Sequence, residues 1–243
     1  MLEEIERRVL YRDALMIVVD KPAGIAVHRG PKGGPSLEDS FEALRFGLPR
    51  RPALAHRLDR ETSGCLVLGR HRQALAQLGT LFRQGLVGKT YWAIVAGAPA
   101  TEAGRIDLPL GRLDASRGWW MRPDPSGVEA VTLWRVLGRA PVAGAGPMTW
   151  LALMPLTGRT HQLRVHCAAM GWPIVGEGIY QEAPEGAPPL QLHAVKVAVP
   201  LYRKRPAIEV CAPGPDHMRA RLAACGWPQP VPGEMPPQLP SRP

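Results

Sequence analysis

Apolar and polar positions along the chain predict a sheet-rich domain. Residues 15–19 form a short β-branched apolar run and residues 65–69 form a second apolar run, both typical of buried strands. Residues 88–97 alternate at every second position, which places Lys89 and Tyr91 on the same face of a strand. Further strands are predicted at residues 127–137, 148–156, 190–200 and 207–211, with a Gly-Ala-Pro turn at residues 139–147.

Four segments carry the signals of helices. A helix about ten residues long is predicted to begin at Ser36 in a capping-box pattern. Residues 70–84 place apolar side chains at helical spacing and stop at Gly85, where a glycine ends a helix well. A third helix is expected to begin near Thr160, whose hydroxyl can cap it, and a fourth to span residues 216–225.

Length and composition bound the kind of protein. A chain of 243 residues with 45% hydrophobic residues is long enough to bury a sizeable core. No apolar run approaches the roughly 18–20 residues that span a bilayer, and the acidic N-terminus lacks the apolar core of a secretory signal. We therefore expect one domain over residues 1–227, in the cytoplasm and with no membrane partner. Residues 228–243 hold seven prolines and little apolar bulk, which predicts a disordered tail.

The charge favours a polyanionic partner. The formal net charge is +9 and the pI is near 9.9. Residues 45–72 hold seven arginines against two acids. Guanidinium groups suit phosphate contacts and stacking on bases, although a solvated surface with a chance cluster would have the same composition.

Cysteines and histidines give no metal signal. The four cysteines are widely spaced without a C-x-x-C pair, so we interpret them as reduced residues. His161 and His166 are five residues apart rather than four, and no carboxylate completes a metal set. We interpret both as hydrogen-bonding or RNA-contacting residues. Trp119 and Trp120 either stack on bases or cover a loop.

The strongest candidate site is the stretch HRLDRETSG at residues 56–64. Asp59 stands between Arg57 and Arg60 at the mouth of a predicted buried strand. Nearby positive charge favours the ionised carboxylate, which is then available as a nucleophile or an electrostatic partner. Taken alone, such a pattern more often marks a surface ion pair followed by a turn. Tyr91, taken alone, would likewise be a half-buried packing residue.

Several motifs together resemble the signature of the RluA-type pseudouridine synthases. They are KPAG-x-x-VH at residues 21–28, HRLDRETSGCLVLG from residue 56, K-x-Y at residues 89–91 and GRTHQLRVH at residues 158–166, in the order found in that family. One departure is Glu177, which stands where the family has an aspartate. It bears on the local loop geometry and on no residue to which the resemblance assigns a role.

The resemblance implies particular roles for these residues. Asp59 would be the nucleophile, and Arg164 would form an ion pair with it. Tyr91 would stack on the target base and act in proton transfer at C5 of uracil. Arg57 would fill the space left by the flipped base. We also expect three further polar residues of the HRLDRETSG and K-x-Y motifs to bind the substrate: His56, Arg60 and Lys89.

The family fold is α+β, with a mixed, largely antiparallel sheet flanked by helices and an RNA-binding cleft across it. The implied reaction isomerises a specific uridine of rRNA or tRNA to pseudouridine without a metal, a nucleotide or a redox cofactor, and we expect a monomer. Two alternatives from other classes stay open. One is a non-catalytic RNA-binding protein, and the other is a hydrolase that cleaves the N-glycosidic bond of a nucleic acid.

Overall fold

The computed structural model describes residues 5–30, 33–113, 120–142, 146–181 and 185–228. The predicted tail therefore lies outside the described residues apart from Pro228, and so does Trp119. The strands are β1 Val9–Arg12, β2 Met16–Lys21, β3 Ala53–Leu54, β4 Ser63–Gly69, β5 Gly88–Ala96, β6 Ala103–Asp107, β7 Leu110–Arg112, β8 Met121–Pro123, β9 Val131–Val142, β10 Gly146–Pro155, β11 Leu192–Val199 and β12 Ile208–Cys211. The helices are α1 Arg72–Arg83, α2 Gln162–Ala169 and α3 Asp216–Ala224, with 3-10 helices at Ile5–Arg8 and Leu37–Arg45.

Ten of the described strands form one mixed sheet. Its main path runs β1-β2-β4-β11-β5-β10-β9-β6, while β12 pairs with β11 and β3 pairs with β4. All of these pairs are antiparallel except β4 with β11, which is parallel. β7 and β8 form a separate hairpin. The predicted α+β fold with a mixed, largely antiparallel sheet is confirmed.

Alternation along the central strand β5 separates two parts of the core. Ala93 and Val95 pack with Leu163 and other residues of α2, whereas Trp92 packs with Leu222 of α3. The two helices therefore lie against opposite faces of this part of the sheet. Among the helices of the described residues, none is long and apolar enough to cross a membrane.

The structure corrects three local predictions. The segment that follows Ser36 is a 3-10 helix, although the Ser36 N–H donates to the Asp39 carboxylate at 2.9 Å as the capping pattern implies. Residues 139–142, predicted as a turn, continue β9 along the edge of β10. The Thr160 hydroxyl does not cap α2. That helix begins after His161, whose backbone is left-handed at φ 52°.

Gly64 shows why the HRLDRETSG motif ends in glycine. Its φ is 106°, in a region that residues with a side chain rarely adopt. Gly64 is also paired with Ala194 across the parallel β4–β11 contact, and a Cβ at this position would overlap the Ala194 carbonyl. The absence of a side chain therefore lets the two strands approach directly after the loop that carries Asp59.

We predict that Gly64→Ala lowers the free energy of unfolding by about 3–5 kcal/mol, because backbone strain and overlap with β11 add together. Gly47→Ala is the matched control, because Gly47 has φ 83° but nothing within 4 Å of the added Cβ. It should cost only the left-handed backbone penalty of about 1 kcal/mol. Urea unfolding of both variants measures this difference, and equal losses would contradict the close-approach explanation.

Candidate active site

One cleft of about 610 Å³ is lined by residues of three motifs: HRLDRETSG, K-x-Y and GRTHQLRVH. Its walls are the loop before β4, the end of α1, the start of β5, and the segment that joins β10 to α2. The folding of the sheet therefore brings together side chains that lie far apart in sequence, from His56 to Leu192. Six of the seven predicted site residues line this cleft: His56, Arg57, Asp59, Lys89, Tyr91 and Arg164.

Asp59 is accessible from the cleft. Its side chain is 23% exposed, and its backbone carbonyl accepts a hydrogen bond from the Thr62 N–H at 3.1 Å, which turns the loop toward β4. Within the described residues, the one basic side chain that comes within 4 Å of the Asp59 carboxylate is His161, with Nε2 at 3.8 Å from Oδ2. The carboxylate thus has a close neighbour that the sequence analysis did not pair with it.

The expected ion pair between Arg164 and Asp59 is not the one that the structure shows. The buried Arg164 makes a bidentate contact with Glu177, from Nε to Oε2 and from Nη2 to Oε1, each at 2.6 Å. The statement that Glu177 bears on no assigned residue is therefore also wrong. The physical reason is that Glu177 is itself buried, so its carboxylate needs a cationic partner at close range.

Electrostatics tie Arg164 both to Glu177 and to Asp59. Burial alone would lower the pKa of Arg164, but the hydrogen bonds and charge of Glu177, with the more distant charge of Asp59, raise it overall. Burial would raise the pKa of Glu177, but Arg164 and the N–H groups of Ile179 and Tyr180 lower it. Both members of the pair are therefore charged. The Arg164 guanidinium interacts with Asp59 through its charge, without a direct contact.

Tyr91 lies where the K-x-Y motif predicts, on the cleft side of β5. Burial, and then the negative charge of Asp59, raise its pKa well above the ordinary value for tyrosine. The hydroxyl is therefore protonated at neutral pH and can donate a hydrogen bond. No hydrogen bond from this hydroxyl is found within the part of the chain that the structure describes.

His56 and Lys89 line the cleft but also hold the fold. The His56 Nε2 accepts a hydrogen bond from the Val67 N–H at 3.0 Å, and its ring stacks on Phe82. Burial lowers the pKa of His56 to about 3, so the ring is neutral. The Lys89 Nζ donates to the Thr157 carbonyl at 3.2 Å. His56 therefore fixes the Asp59 loop against β4, in addition to any contact with substrate.

Arg60, which was expected to bind substrate, does not line the cleft. Its Nε donates to the Gly24 carbonyl at 2.9 Å and lies 3.6 Å from a carboxylate oxygen of Glu61. Its own carbonyl accepts from the Gly24 N–H at 2.9 Å and from Lys21 Nζ at 3.0 Å. Arg60 thus ties the Asp59 loop to the neighbouring KPAG loop.

Lys21 is a structural residue that sequence reasoning did not single out. It is fully buried, and its Nζ donates to the carbonyls of Pro22, Ile25 and Arg60 at 2.7–3.0 Å. Burial lowers its pKa to about 8, although nearby carboxylates oppose the shift. The KPAG-x-x-VH resemblance was the available signal, because it marks this lysine together with the motif that it supports.

His161 and Tyr180 complete the surroundings of Asp59. The His161 Nδ1 lies 2.7 Å from the Tyr180 hydroxyl, and the Arg164 guanidinium lies 5.8 Å from the centre of the Tyr180 ring. Sequence reasoning assigned His161 no partner, and it gave Tyr180 no role. In the described residues no group of three His, Cys, Asp or Glu side chains could hold a metal ion. Both alternatives for Trp120, stacking on bases or covering a loop, stay open.

Comparisons with known proteins show which family this chain resembles. Residues 15–169 match the family model of the RNA pseudouridylate synthases. An uncharacterized RNA pseudouridine synthase of Zymomonas mobilis is 42% identical over 203 residues, covering 82% of this chain and 90% of that protein. The ribosomal large subunit pseudouridine synthase C of Vibrio cholerae is 34% identical over 229 residues, covering 90% of this chain and 69% of that protein.

A solved structure shows the same fold. The human RNA pseudouridylate synthase domain containing 4 has a TM-score of 0.76 and 27% identity, with 95% of this chain and 97% of that chain covered. The chain therefore belongs to the RNA pseudouridylate synthase family. Proteins of this family are isomerases that act on RNA, and the predicted enzyme class is confirmed.

The buried ion pair gives a stability prediction. Glu177→Ala should lower the free energy of unfolding by about 3–5 kcal/mol, because it leaves the Arg164 guanidinium buried without a carboxylate. Glu177→Asp, which restores the family residue, should lose less because the charge is kept. Urea unfolding at neutral pH measures both losses. A loss under about 1 kcal/mol for Glu177→Ala would contradict the claim that the Arg164–Glu177 pair stabilises the fold.

The pH dependence of the same pair has a definite sign. The pKa of Glu177 is lowered in the folded state, so its contribution to stability is full above the ordinary glutamate pKa of about 4.3 and is lost as the pH falls below it. The difference in stability between wild type and Glu177→Ala should therefore shrink in acid.

Proposed function

We propose that this chain isomerises a specific uridine of rRNA or tRNA to pseudouridine, with Asp59 as the nucleophile. The observation that carries the proposal is the Asp59 carboxylate, open to a cleft that it shares with a protonated Tyr91 and with Arg164. The relative from Vibrio cholerae is named for the ribosomal large subunit, which supports rRNA as the first substrate to test. Action as a monomer in the cytoplasm is part of the same proposal.

The reaction needs a nucleophile but no external reagent. The N1–C1′ bond breaks, the uracil turns in the site, a C5–C1′ bond forms, and the proton that C5 loses is balanced by one gained at N1. Asp59 would share the bond energy between two steps by attacking C6 of the base or C1′ of the ribose. The charge of Arg164, held by Glu177, would act on the Asp59 carboxylate at longer range without covering its oxygens.

Tyr91 would contribute both its ring and its hydroxyl. The ring lies among apolar residues beside the cleft, where it can stack on an extruded base. Because the raised pKa keeps the hydroxyl protonated, Tyr91 can take a proton from C5 only if it passes its own proton on at the same time. A relay through the phenol is therefore the form of proton transfer that fits this site.

The approach of RNA would use cations at the rim of the cleft. Arg57, Arg83 and Arg159 are exposed and line the opening. Such side chains can contact the phosphates on either side of a flipped nucleotide and so fix its position without reading its base. Extruding the base would be necessary because the Asp59 carboxylate lies inside the cleft rather than on a flat surface.

We predict that Asp59→Asn abolishes turnover without weakening RNA binding. The substitution is nearly isosteric and removes a negative charge from a surface that binds a polyanion, so the affinity should stay the same or rise. Pseudouridine formation under single-turnover conditions should fall at least about 1,000-fold, as for loss of a nucleophile. Carbodiimide labelling of unmodified rRNA and tRNA, with saturating enzyme, measures the product.

The control for this experiment is Asp107→Asn, since Asp107 is an exposed aspartate at the end of β6 that does not line the cleft. It should keep the wild-type rate. A residual rate for Asp59→Asn within about tenfold of wild type would exclude nucleophilic catalysis. Release of free uracil in place of pseudouridine would identify the hydrolase, and RNA binding without either product would identify the non-catalytic alternative.

We predict a different pattern for Tyr91→Phe. The ring that stacks on the base is kept and only the hydroxyl is lost, so RNA affinity should change little while the single-turnover rate falls about 100-fold or more. Equal affinity together with an unchanged rate would show that the hydroxyl takes no part in proton transfer and that Tyr91 is a packing residue.

A further inference from the structure

His161 has a strained backbone conformation, and the reaction proposed above gives this residue no role. Its φ of 52° lies in the left-handed region, which residues with a side chain seldom enter, histidine and asparagine more often than most. Such conformations persist where the surrounding structure demands them, often at functional sites. Here the strain aims a buried imidazole between two polar groups, Asp59 and Tyr180.

The Tyr180 hydroxyl bears on which nitrogen of His161 carries the proton. Its oxygen accepts a hydrogen bond from the Met121 N–H at 3.1 Å and lies 2.7 Å from the His161 Nδ1, to which the hydroxyl can donate its hydrogen. An Nδ1 that accepts a hydrogen bond is unprotonated. The proton of the neutral ring is then on Nε2.

The position of Asp59 supports the same tautomer independently. The His161 Nε2 faces the Asp59 Oδ2 at 3.8 Å. The opposite tautomer would direct the Nε2 lone pair at the Asp59 carboxylate, which is electrostatically unfavourable. Both ends of the ring therefore favour the form with the proton on Nε2.

The charge state of the ring follows from the groups around it. Burial lowers the pKa of His161, Asp59 and Glu177 oppose the shift, and Arg164 and Arg57 add to it. Asp59 and Arg57 come from the loop before β4, Arg164 from α2, and Glu177 from the loop after α2. Because the net shift is downward, the ring is neutral at pH 7.

We propose that His161 is a positioning residue that presents a neutral Nε2–H donor to Asp59, and that Tyr180 sets this tautomer. The inference rests on the proposed function, in which Asp59 is the nucleophile. The 3.8 Å separation is longer than a hydrogen bond, and such contacts in ligand-free sites commonly tighten when substrate binds. A neutral donor orients the carboxylate without giving up a proton to it, so the carboxylate stays nucleophilic.

Two substitutions of His161 separate the donor from the rest of the side chain. Asparagine tolerates the left-handed backbone, and its amide lies near the place of Nδ1, but it has nothing to offer Asp59. Glutamine is longer and can place an amide N–H near the place of Nε2. His161→Asn should slow single-turnover pseudouridine formation about ten- to hundredfold with little change in RNA affinity, the range for losing one hydrogen bond to a charged group. His161→Gln should recover most of that loss.

The control is His71→Asn. His71 is exposed, lies outside the cleft, and caps α1 by accepting from the Ala74 N–H, a task that asparagine performs well. Its rate should equal that of wild type. Thermal unfolding of each variant checks that the fold is kept. A His161→Asn variant as fast as wild type, or a His161→Gln variant as slow as His161→Asn, would overturn the inference.

A spectroscopic measurement tests the tautomer without RNA. Imidazole ¹⁵N NMR at about pH 7.5, with the His161 signals assigned by their loss in His161→Asn, should show Nε2 protonated and Nδ1 unprotonated. Tyr180→Phe should give a mixture of tautomers, because the donor to Nδ1 is gone. A wild-type ring protonated on Nδ1 would overturn the inference.

The outcomes also distinguish the inference from the proposed function. A wild-type enzyme that forms no pseudouridine in rRNA or tRNA would remove the proposed function, and the catalytic part of the inference with it. An active wild type whose rate does not depend on His161 would remove the inference alone.

Discussion

A buried guanidinium must be paired, and this requirement organises the site. Arg164 on α2 and Glu177 on the following loop are both buried, so each would be costly without the other. The same Glu177 carboxylate accepts hydrogen bonds from the N–H groups of Ile179 and Tyr180, at 2.7 and 3.3 Å. These bonds fix the loop that follows Glu177. Tyr180 then reaches back to His161. The ion pair therefore holds the start of α2 in place on one side of Asp59.

Pairing Arg164 with Glu177 rather than with Asp59 suits the role of nucleophile that we propose for Asp59. A bidentate contact with a guanidinium would occupy the lone pairs of Asp59 and reduce its nucleophilicity. In this arrangement Asp59 keeps a favourable charge at longer range, while the close hydrogen bonds go to Glu177. Arg164 thus acts on Asp59 through its charge alone, while Glu177 accepts its hydrogen bonds. The oxygens of Asp59 therefore stay accessible.

Much of the fold could be predicted from local patterns, because each pattern has a direct physical cause. Period-two alternation predicted β5 and the shared face of Lys89 and Tyr91, and Gly85 ended α1 at φ 68° as expected. The end of β9 was missed, since its Gly and Pro residues suggest a turn while pairing with β10 overrides them. α2 begins close to Thr160 as expected, but the Thr160 hydroxyl does not cap it, because the N-cap position falls on His161, whose side chain makes no capping hydrogen bond.

The site was predictable only as far as the motifs reach. A motif names residues that meet, and Asp59 does meet Tyr91 and Arg164 in one cleft. It does not say which partner a buried charge takes, because that depends on side chains brought together by the whole fold. This is why a glutamate in place of the family's aspartate looked incidental in the sequence.

Most of the HRLDRETSG motif serves to place Asp59, the proposed nucleophile. The His56 ring nitrogen binds the Val67 N–H of β4, the Arg60 carbonyl binds the buried Lys21, and Gly64 lets β4 lie against β11. These contacts fix the loop at both ends and in the middle, so the Asp59 carboxylate has little freedom to leave the cleft. A chemically simple side chain becomes selective because rigid strands hold it. Substitutions in the motif should therefore act on activity chiefly through the position of Asp59.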